Sequence, residues 1–144
     1  MNEYAKVYKI LSKNDVGETN SHQSGIAIPK VVAKTEVFPQ LGKEIKNPRE
    51  EIYFFDQNNK PWIFQYIYYN DFFFDKPNKN GHNEFRLTCV KKYIQENGIK
   101  SGDSIWFALD KDGVRHIGFN KSNQQNKEEK VLIKLTKNWK YIKF

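Results

Sequence analysis

Two runs of β-branched and aromatic residues, Ile52-Tyr53-Phe54-Phe55 and Trp62-Ile63-Phe64-Gln65-Tyr66-Ile67-Tyr68-Tyr69, flank the polar stretch Asp56-Gln57-Asn58-Asn59-Lys60-Pro61. Residues that fill a pleated surface, interrupted by turn formers, predict a β-hairpin. Alternation places Trp62, Phe64 and Tyr66 on one face of the second strand, as the interior of a small barrel requires. The aromatic cluster from Tyr53 to Phe74 is therefore read as core. The competing reading is a set of stacking platforms for single-stranded nucleic acid.

The rest of the chain is organised around that hairpin. Tyr4 to Leu11 predicts a strand and runs into the polar stretch Ser12 to Gly25, a long exposed loop or arm. Apolar Ile26-Ala27-Ile28 follows, then Pro29 and a short helix from about Val31 to Phe38, ended by Pro39. A second polar insert, Lys76 to Asn83, precedes Glu84-Phe85-Arg86-Leu87-Thr88. Val90, Tyr93 and Ile94 have helical spacing, with Thr88 as the expected cap and Gly98 as the stop. Strands are expected over Ser104–Leu109, Val114–Phe119, Lys130–Leu135 and Trp139–Ile142, with Asp112-Gly113 as a turn. The expected class is mainly β: an open barrel of seven or eight short strands with two short helices. No repeat and no linker divides the 144 residues, so a single domain is read over 1–144. A chain of that length buries about two thirds of the surface it exposes when unfolded.

Charge and cysteine content narrow the function. The formal charge of +7 favours a polyanionic partner, either nucleic acid or an anionic membrane surface. Part of it can also reflect nothing more than a Lys- and Asn-rich composition, so the placement of the charges has to decide. Apolar runs such as Val131-Leu132-Ile133 fall far short of the roughly 20 residues of a membrane span, and no signal-peptide pattern opens the chain. The single cysteine, Cys89, cannot form an intrachain disulfide and fits a reducing cytoplasm.

Enzyme chemistry finds little support. Glu44-Ile45-Lys46 matches only the last part of a metal-dependent nuclease signature, without a Pro-Asp upstream and with Pro48 close behind. His22, His82 and His116 are scattered, without Cys or acids at zinc-ligand spacing. Cys89 is read as a packed small residue. No Gly-rich phosphate loop or Gly-x-Ser-x-Gly elbow occurs. No catalytic residue, metal or cofactor is expected.

Three collinear segments carry a family resemblance. Leu11-Ser12-Lys13-Asn14-Asp15-Val16-Gly17 with Ile26-Ala27-Ile28-Pro29-Lys30 resembles the opening of the plant B3-type DNA-binding domain. Phe55 to Tyr66 resembles that family's hairpin, and Ile99-Lys100-Ser101-Gly102-Asp103-Ser104-Ile105-Trp106-Phe107 resembles its Gly-Asp segment. The first arm departs from the plant pattern. Its His22-Gln23-Ser24-Gly25 is closer to the amino-terminal recognition (effector-binding) domain of EcoRII-type bacterial restriction endonucleases, which shares the pseudobarrel.

The resemblance implies sequence-specific recognition of double-stranded DNA by two arms, about 14–30 and about 75–86, entering the major groove. It also implies that cleavage lies in a separate nuclease domain or subunit. The arms hold the side chains such reading needs. Asn20, Ser21, His22, Gln23, Ser24 and Lys30 lie on the first; Lys76, Lys79, Asn80, His82, Asn83, Glu84 and Arg86 lie on the second; Lys13 sits at the approach to the first. Asn and Gln pair with adenine, Arg or Lys with guanine, and Glu accepts from cytosine. Lysines near the arms add sequence-independent affinity. Glu84 and Arg86 are read as base contacts, the alternative being an ion pair on a solvated strand. The lysines from Lys127 to Lys143 are read as solvated strand faces. A barrel binding single-stranded DNA or RNA is the other functional reading, and an interaction module without nucleic acid is a third.

Overall fold

The computed structural model describes residues 2–18, 25–42, 44–70, 83–123 and 133–144. Their strands are β1 (Glu3–Ile10), β2 (Ile26–Ile28), β3 (Arg49–Phe55), β4 (Pro61–Tyr69), β5 (Glu84–Thr88), β6 (Ser104–Asp110), β7 (Arg115–Asn120), β8 (Ile133–Lys134) and β9 (Trp139–Lys143). The helices are α1 (Lys30–Ala33) and α2 (Lys91–Glu96). All nine strands join one curled sheet in the order β2-β5-β4-β3-β7-β6-β1-β9-β8. Every neighbouring pair is antiparallel except β3 and β7, which run parallel and share a single register pair, Phe55 with His116. The short parallel contact of β3 with β7 thus joins two antiparallel halves, and the sheet ends at β2 and β8. A mainly β pseudobarrel is the architecture expected.

The hairpin forms as its pattern predicts, with Trp62, Phe64 and Tyr66 buried and Ile63 exposed. Asp56 builds the turn. Its Oδ1 accepts the backbone N–H of Asn58 (2.8 Å) and Lys60 (3.0 Å), and its Oδ2 accepts the Trp62 indole N–H (3.0 Å). Burial opposes ionisation of this carboxyl, but those donors outweigh it and hold its pKa below the usual range.

The core is aromatic. Phe38 stacks on Tyr66 with centroids 5.2 Å apart, Phe54 meets Phe107 edge-on at 5.2 Å, and Tyr93 of α2 meets Trp62 edge-on at 5.1 Å. Across the barrel, the Tyr141 hydroxyl of β9 donates to Glu36, just after α1, at 2.7 Å. Gly118 lies opposite Trp106 because the indole occupies the space a Cβ would take, 2.1 Å from that position.

Several local expectations are corrected. The count is nine strands rather than seven or eight, because the three-residue β2 finds a partner in β5. The first helix stops at Ala33 and continues to Phe38 as turns, the Thr35 hydroxyl bonding the Val32 carbonyl. Thr88 does not cap α2: its hydroxyl donates to the Gln65 carbonyl at 3.3 Å, and Val90 takes the N-cap position without a side-chain bond. Cys89 is exposed rather than packed, at φ 68°, where the chain turns sharply between β5 and α2. Gly98 (φ 61°) stops α2 and Gly113 (φ 82°) makes the β6–β7 turn as anticipated. Of the strand expected over Lys130–Leu135, only residues 133–135 are described. Among the described residues no helix is long and apolar enough to cross a membrane.

Candidate nucleic-acid interface

The first arm leaves the barrel through a locally determined structure. Ser12 Oγ accepts the Asp15 N–H (3.2 Å), and Asp15 Oδ2 accepts the Ser12 N–H (2.9 Å), a reciprocal box that closes a turn. Lys9 reaches the same Asp15 oxygen at 2.6 Å in a pair whose side chains are both about nine-tenths buried. Val16 packs against the core edge, and Gly17 takes φ 82° to end the turn. The Leu-Ser-x-x-Asp-Val-Gly spacing therefore has a physical purpose.

The Gly-Asp segment holds the arm from the other side. Gly102 N–H bonds the Leu11 carbonyl and Leu11 N–H bonds the Asp103 carbonyl, both at 2.9 Å. Asp103 is buried. Its carboxylate accepts Lys100 N–H (2.8 Å), Ser122 N–H (2.9 Å) and Lys121 Nζ (3.0 Å). Burial again opposes its charge, and these donors overcome it and lower its pKa. Glu18 adds a bond to the Ser101 hydroxyl at 3.4 Å.

The arm returns at Gly25 into β2, which pairs with β5 in the register Ile26 with Leu87, Ala27 with Arg86 and Ile28 with Phe85. Gly25 has φ 74°, and a Cβ there would stand 2.0 Å from the Leu87 carbonyl oxygen. Only glycine permits this approach. The second arm departs from the end of β4 and rejoins at β5, where Tyr69 pairs with Glu84.

Both arms are thereby rooted on one five-residue strand. The second meets it at Glu84 and the first beside Leu87 and Thr88, roughly 13 Å apart at about 3.3 Å per residue. A B-DNA major groove is about 12 Å wide. Leu87 points to the core and Phe85 stacks on Tyr68 and Tyr66, so Glu84 and Arg86 face outward between the arm roots. Arg86 donates to Glu84 Oε1 at 2.6 Å and to the Gly25 carbonyl at 3.3 Å. One guanidinium thus ties the root of each arm to the other. Its side chain is 12% exposed against 40% for Glu84, so the acid is the more accessible partner.

Of the remaining predicted residues, Lys13 is exposed on the first turn and Lys30 is exposed at the start of α1. Lys30 lines a cleft of about 250 Å³ with Lys34, Tyr68 and Phe85. Asn83 is half-buried beside Glu84. Asn20, Ser21, His22, Gln23, Ser24, Lys76, Lys79, Asn80 and His82 lie outside the described residues. His116 sits apart from the arms, bonded through Nε2 to Asp110 at 2.8 Å in the β6–β7 hairpin. Glu44 and Lys46 are exposed, and among the described residues no three His, Cys, Asp or Glu side chains gather where they could hold a metal ion.

Sequence reasoning missed one device. Asn47 N–H donates to Asn70 Oδ1 (2.7 Å), Asn70 N–H donates to Asn47 Oδ1 (3.1 Å), and Asn70 Nδ2 donates to the Ile45 carbonyl (2.9 Å). This clasp pins the loop before β3 to the residue where the second arm departs. Its sequence signal was the turn-forming Asn47-Pro48 pair, with Asn47 at φ 50°.

The family described as "Restriction endonuclease EcoRII, N-terminal" matches residues 2–111. Auxin response factor 11 from Oryza sativa, in both the indica and japonica subspecies, is 24% identical over 113 residues. That stretch is 78% of this chain and only 11% of the rice protein. Among solved structures, an Arabidopsis FUS3–DNA complex is similar with a TM-score of 0.61 and 23% identity, covering 81% of this chain and 96% of that one. The Arabidopsis thaliana transcription factor LEC2–DNA complex is similar with a TM-score of 0.60 and 19% identity, covering 85% and 100%. These likenesses establish a shared fold.

Proposed function

The chain belongs to the family of the N-terminal domain of restriction endonuclease EcoRII, and on that footing we propose that it is a sequence-specific binder of double-stranded DNA, the targeting or effector-binding module of a restriction endonuclease. The observation that carries this reading is the pairing of β2 with β5, which roots both polar arms on one strand with Glu84 and Arg86 between them. The spacing of the roots suits a major groove. An acid beside an arginine suits base discrimination better than indiscriminate phosphate binding. Both solved relatives are named as DNA complexes.

In this reading the arms supply the base contacts: Asn20, Ser21, His22, Gln23 and Ser24 on one side, and Lys76, Lys79, Asn80, His82 and Asn83 on the other. Lys13 and Lys30 meet backbone phosphates. Glu84 presents its accessible carboxylate to the groove, while Arg86 braces both roots. The chain acts by binding, in the cytoplasm, and the cutting is done by a separate domain or subunit. A single-stranded binder using aromatic platforms is disfavoured because Phe54, Trp62, Phe64 and Tyr66 are buried.

The test is selection of bound duplexes from a random library, followed by titration of the selected and scrambled sequences. A preferred sequence is expected, with the preference lost in Arg86→Ala and His22→Ala and kept in Lys140→Ala. Equal affinity for selected and scrambled duplexes refutes the reading. Magnesium-dependent cleavage by this chain alone refutes the division of labour.

A further inference from the structure

We infer that residues 44–49 form a third DNA-contacting element, in which Arg49 binds a backbone phosphate beside the second arm; this rests on the duplex-recognition reading above. The loop is built to be held there. Asn70, only 2% exposed, spends its side chain and its N–H on the clasp with Asn47 and Ile45. The Pro48 carbonyl accepts the Tyr68 N–H at 3.0 Å. The whole loop therefore moves with the root of the second arm.

Arg49 opens β3 immediately after the clasp, exposed, and its guanidinium makes no hydrogen bond or ion pair among the described residues. Register fixes its position. Arg49 pairs with Ile67, Ile67 with Arg86, and Arg86 with Ala27, one row across four strands. Alternation on β4 puts Trp62, Phe64 and Tyr66 inside, so this row lies on the opposite face, the one that carries Glu84 and Arg86; Ile67 within it is covered and the Arg86 side chain is 12% exposed, while Arg49 stands exposed. Two strand spacings put Arg49 about 10 Å from Arg86. With Arg86 facing a groove about 12 Å wide, a cation displaced by that distance meets the phosphates that rim it. Glu51 follows on the same face in the next row, paired with Gln65, and marks where the phosphate-binding surface ends.

Arg49→Ala and Arg49→Lys test this in the full chain, with the selected and scrambled duplexes titrated over a range of salt. Arg49→Ala is expected to weaken both duplexes by the same factor. It should also lower the slope of log affinity against log salt by about 0.9, so that its deficit shrinks about 3.5-fold between 50 and 200 mM salt. Arg49→Lys should restore most of the slope. Unchanged thermal stability in both variants separates the effect from folding. Wild-type affinity and slope in Arg49→Ala would overturn the inference, as would a loss confined to the selected duplex, which would mark a base contact. A wild-type chain that prefers no duplex refutes the recognition reading itself, an outcome distinct from a discriminating wild type matched by Arg49→Ala.

Discussion

Replacing Gly25 by alanine tests whether the close approach of the two arm roots holds the interface together, and Gly17→Ala supplies its control. Both glycines have positive φ, 74° and 82°, but a Cβ at Gly17 meets nothing within 4 Å whereas one at Gly25 stands 2.0 Å from Leu87 O. Gly17→Ala therefore costs only the left-handed backbone penalty, about 1–2 kcal/mol. Gly25→Ala carries the same penalty and must also push β2 from β5. If it breaks two ladder hydrogen bonds at about 1 kcal/mol each, the total reaches about 3–4 kcal/mol. At roughly 3–4 °C per kcal/mol for a chain of this size, Gly25→Ala should melt about 7 °C below Gly17→Ala by circular dichroism. Binding should separate the two further. Displacing Gly25 removes its carbonyl from Arg86 and shifts the first arm, and the loss of even one base contact, at about 1–3 kcal/mol, weakens the preferred duplex at least fivefold. Equal melting temperatures for the two variants, or an unaltered sequence preference in Gly25→Ala, would refute the reasoning.

Arg86→Lys keeps the charge but loses the fork that reaches Glu84 and Gly25 together; affinity for the preferred duplex should fall about tenfold or more in a fluorescence-anisotropy titration, with little change for scrambled DNA. Asp56, Asp103 and Asp110 all have folded-state pKa values lowered by hydrogen bonds that outweigh the opposing effect of burial. A depressed carboxyl contributes stability fully above its unfolded pKa of about 3.9 and loses it as pH falls through the folded value. Urea midpoints should therefore stay level from pH 7 to about 5 and drop below about 4, less steeply in Asp103→Asn, which starts lower. Gly118→Ala should cost about 1–3 kcal/mol through overpacking against Trp106, and Trp106→Ala in the same chain should cancel most of that in a double-mutant cycle read by thermal melts.

The strands were legible because each carries its own signal. Alternation along Trp62–Tyr66, the Asp112-Gly113 turn and the Gly98 stop are local, and local pattern is what a sequence displays. The same holds for Ser12, Asp15 and Gly17, whose box closes within six residues. The misreadings came where a distant partner intervened. Thr88 has the chemistry of a cap but lies where Gln65 of the neighbouring strand offers a carbonyl. Cys89 looked like core material, yet the turn from β5 into α2 directs it outward. Three residues at Ile26–Ile28 are too few to count as a strand until β5 supplies their hydrogen bonds.

For the proposed interface, the chain by itself displayed which side chains have base-reading chemistry and which two polar stretches carry them, because polarity, turn formers and family motifs are written residue by residue. Only the tertiary structure decided that the two stretches share a root. The meeting of Gly25 with Leu87, of Arg86 with Glu84 and Gly25, and of Asn47 with Asn70 joins residues up to 62 positions apart. Such meetings depend on strand order and register, which are set by how the whole sheet buries its aromatic face, and no local run of residues encodes them.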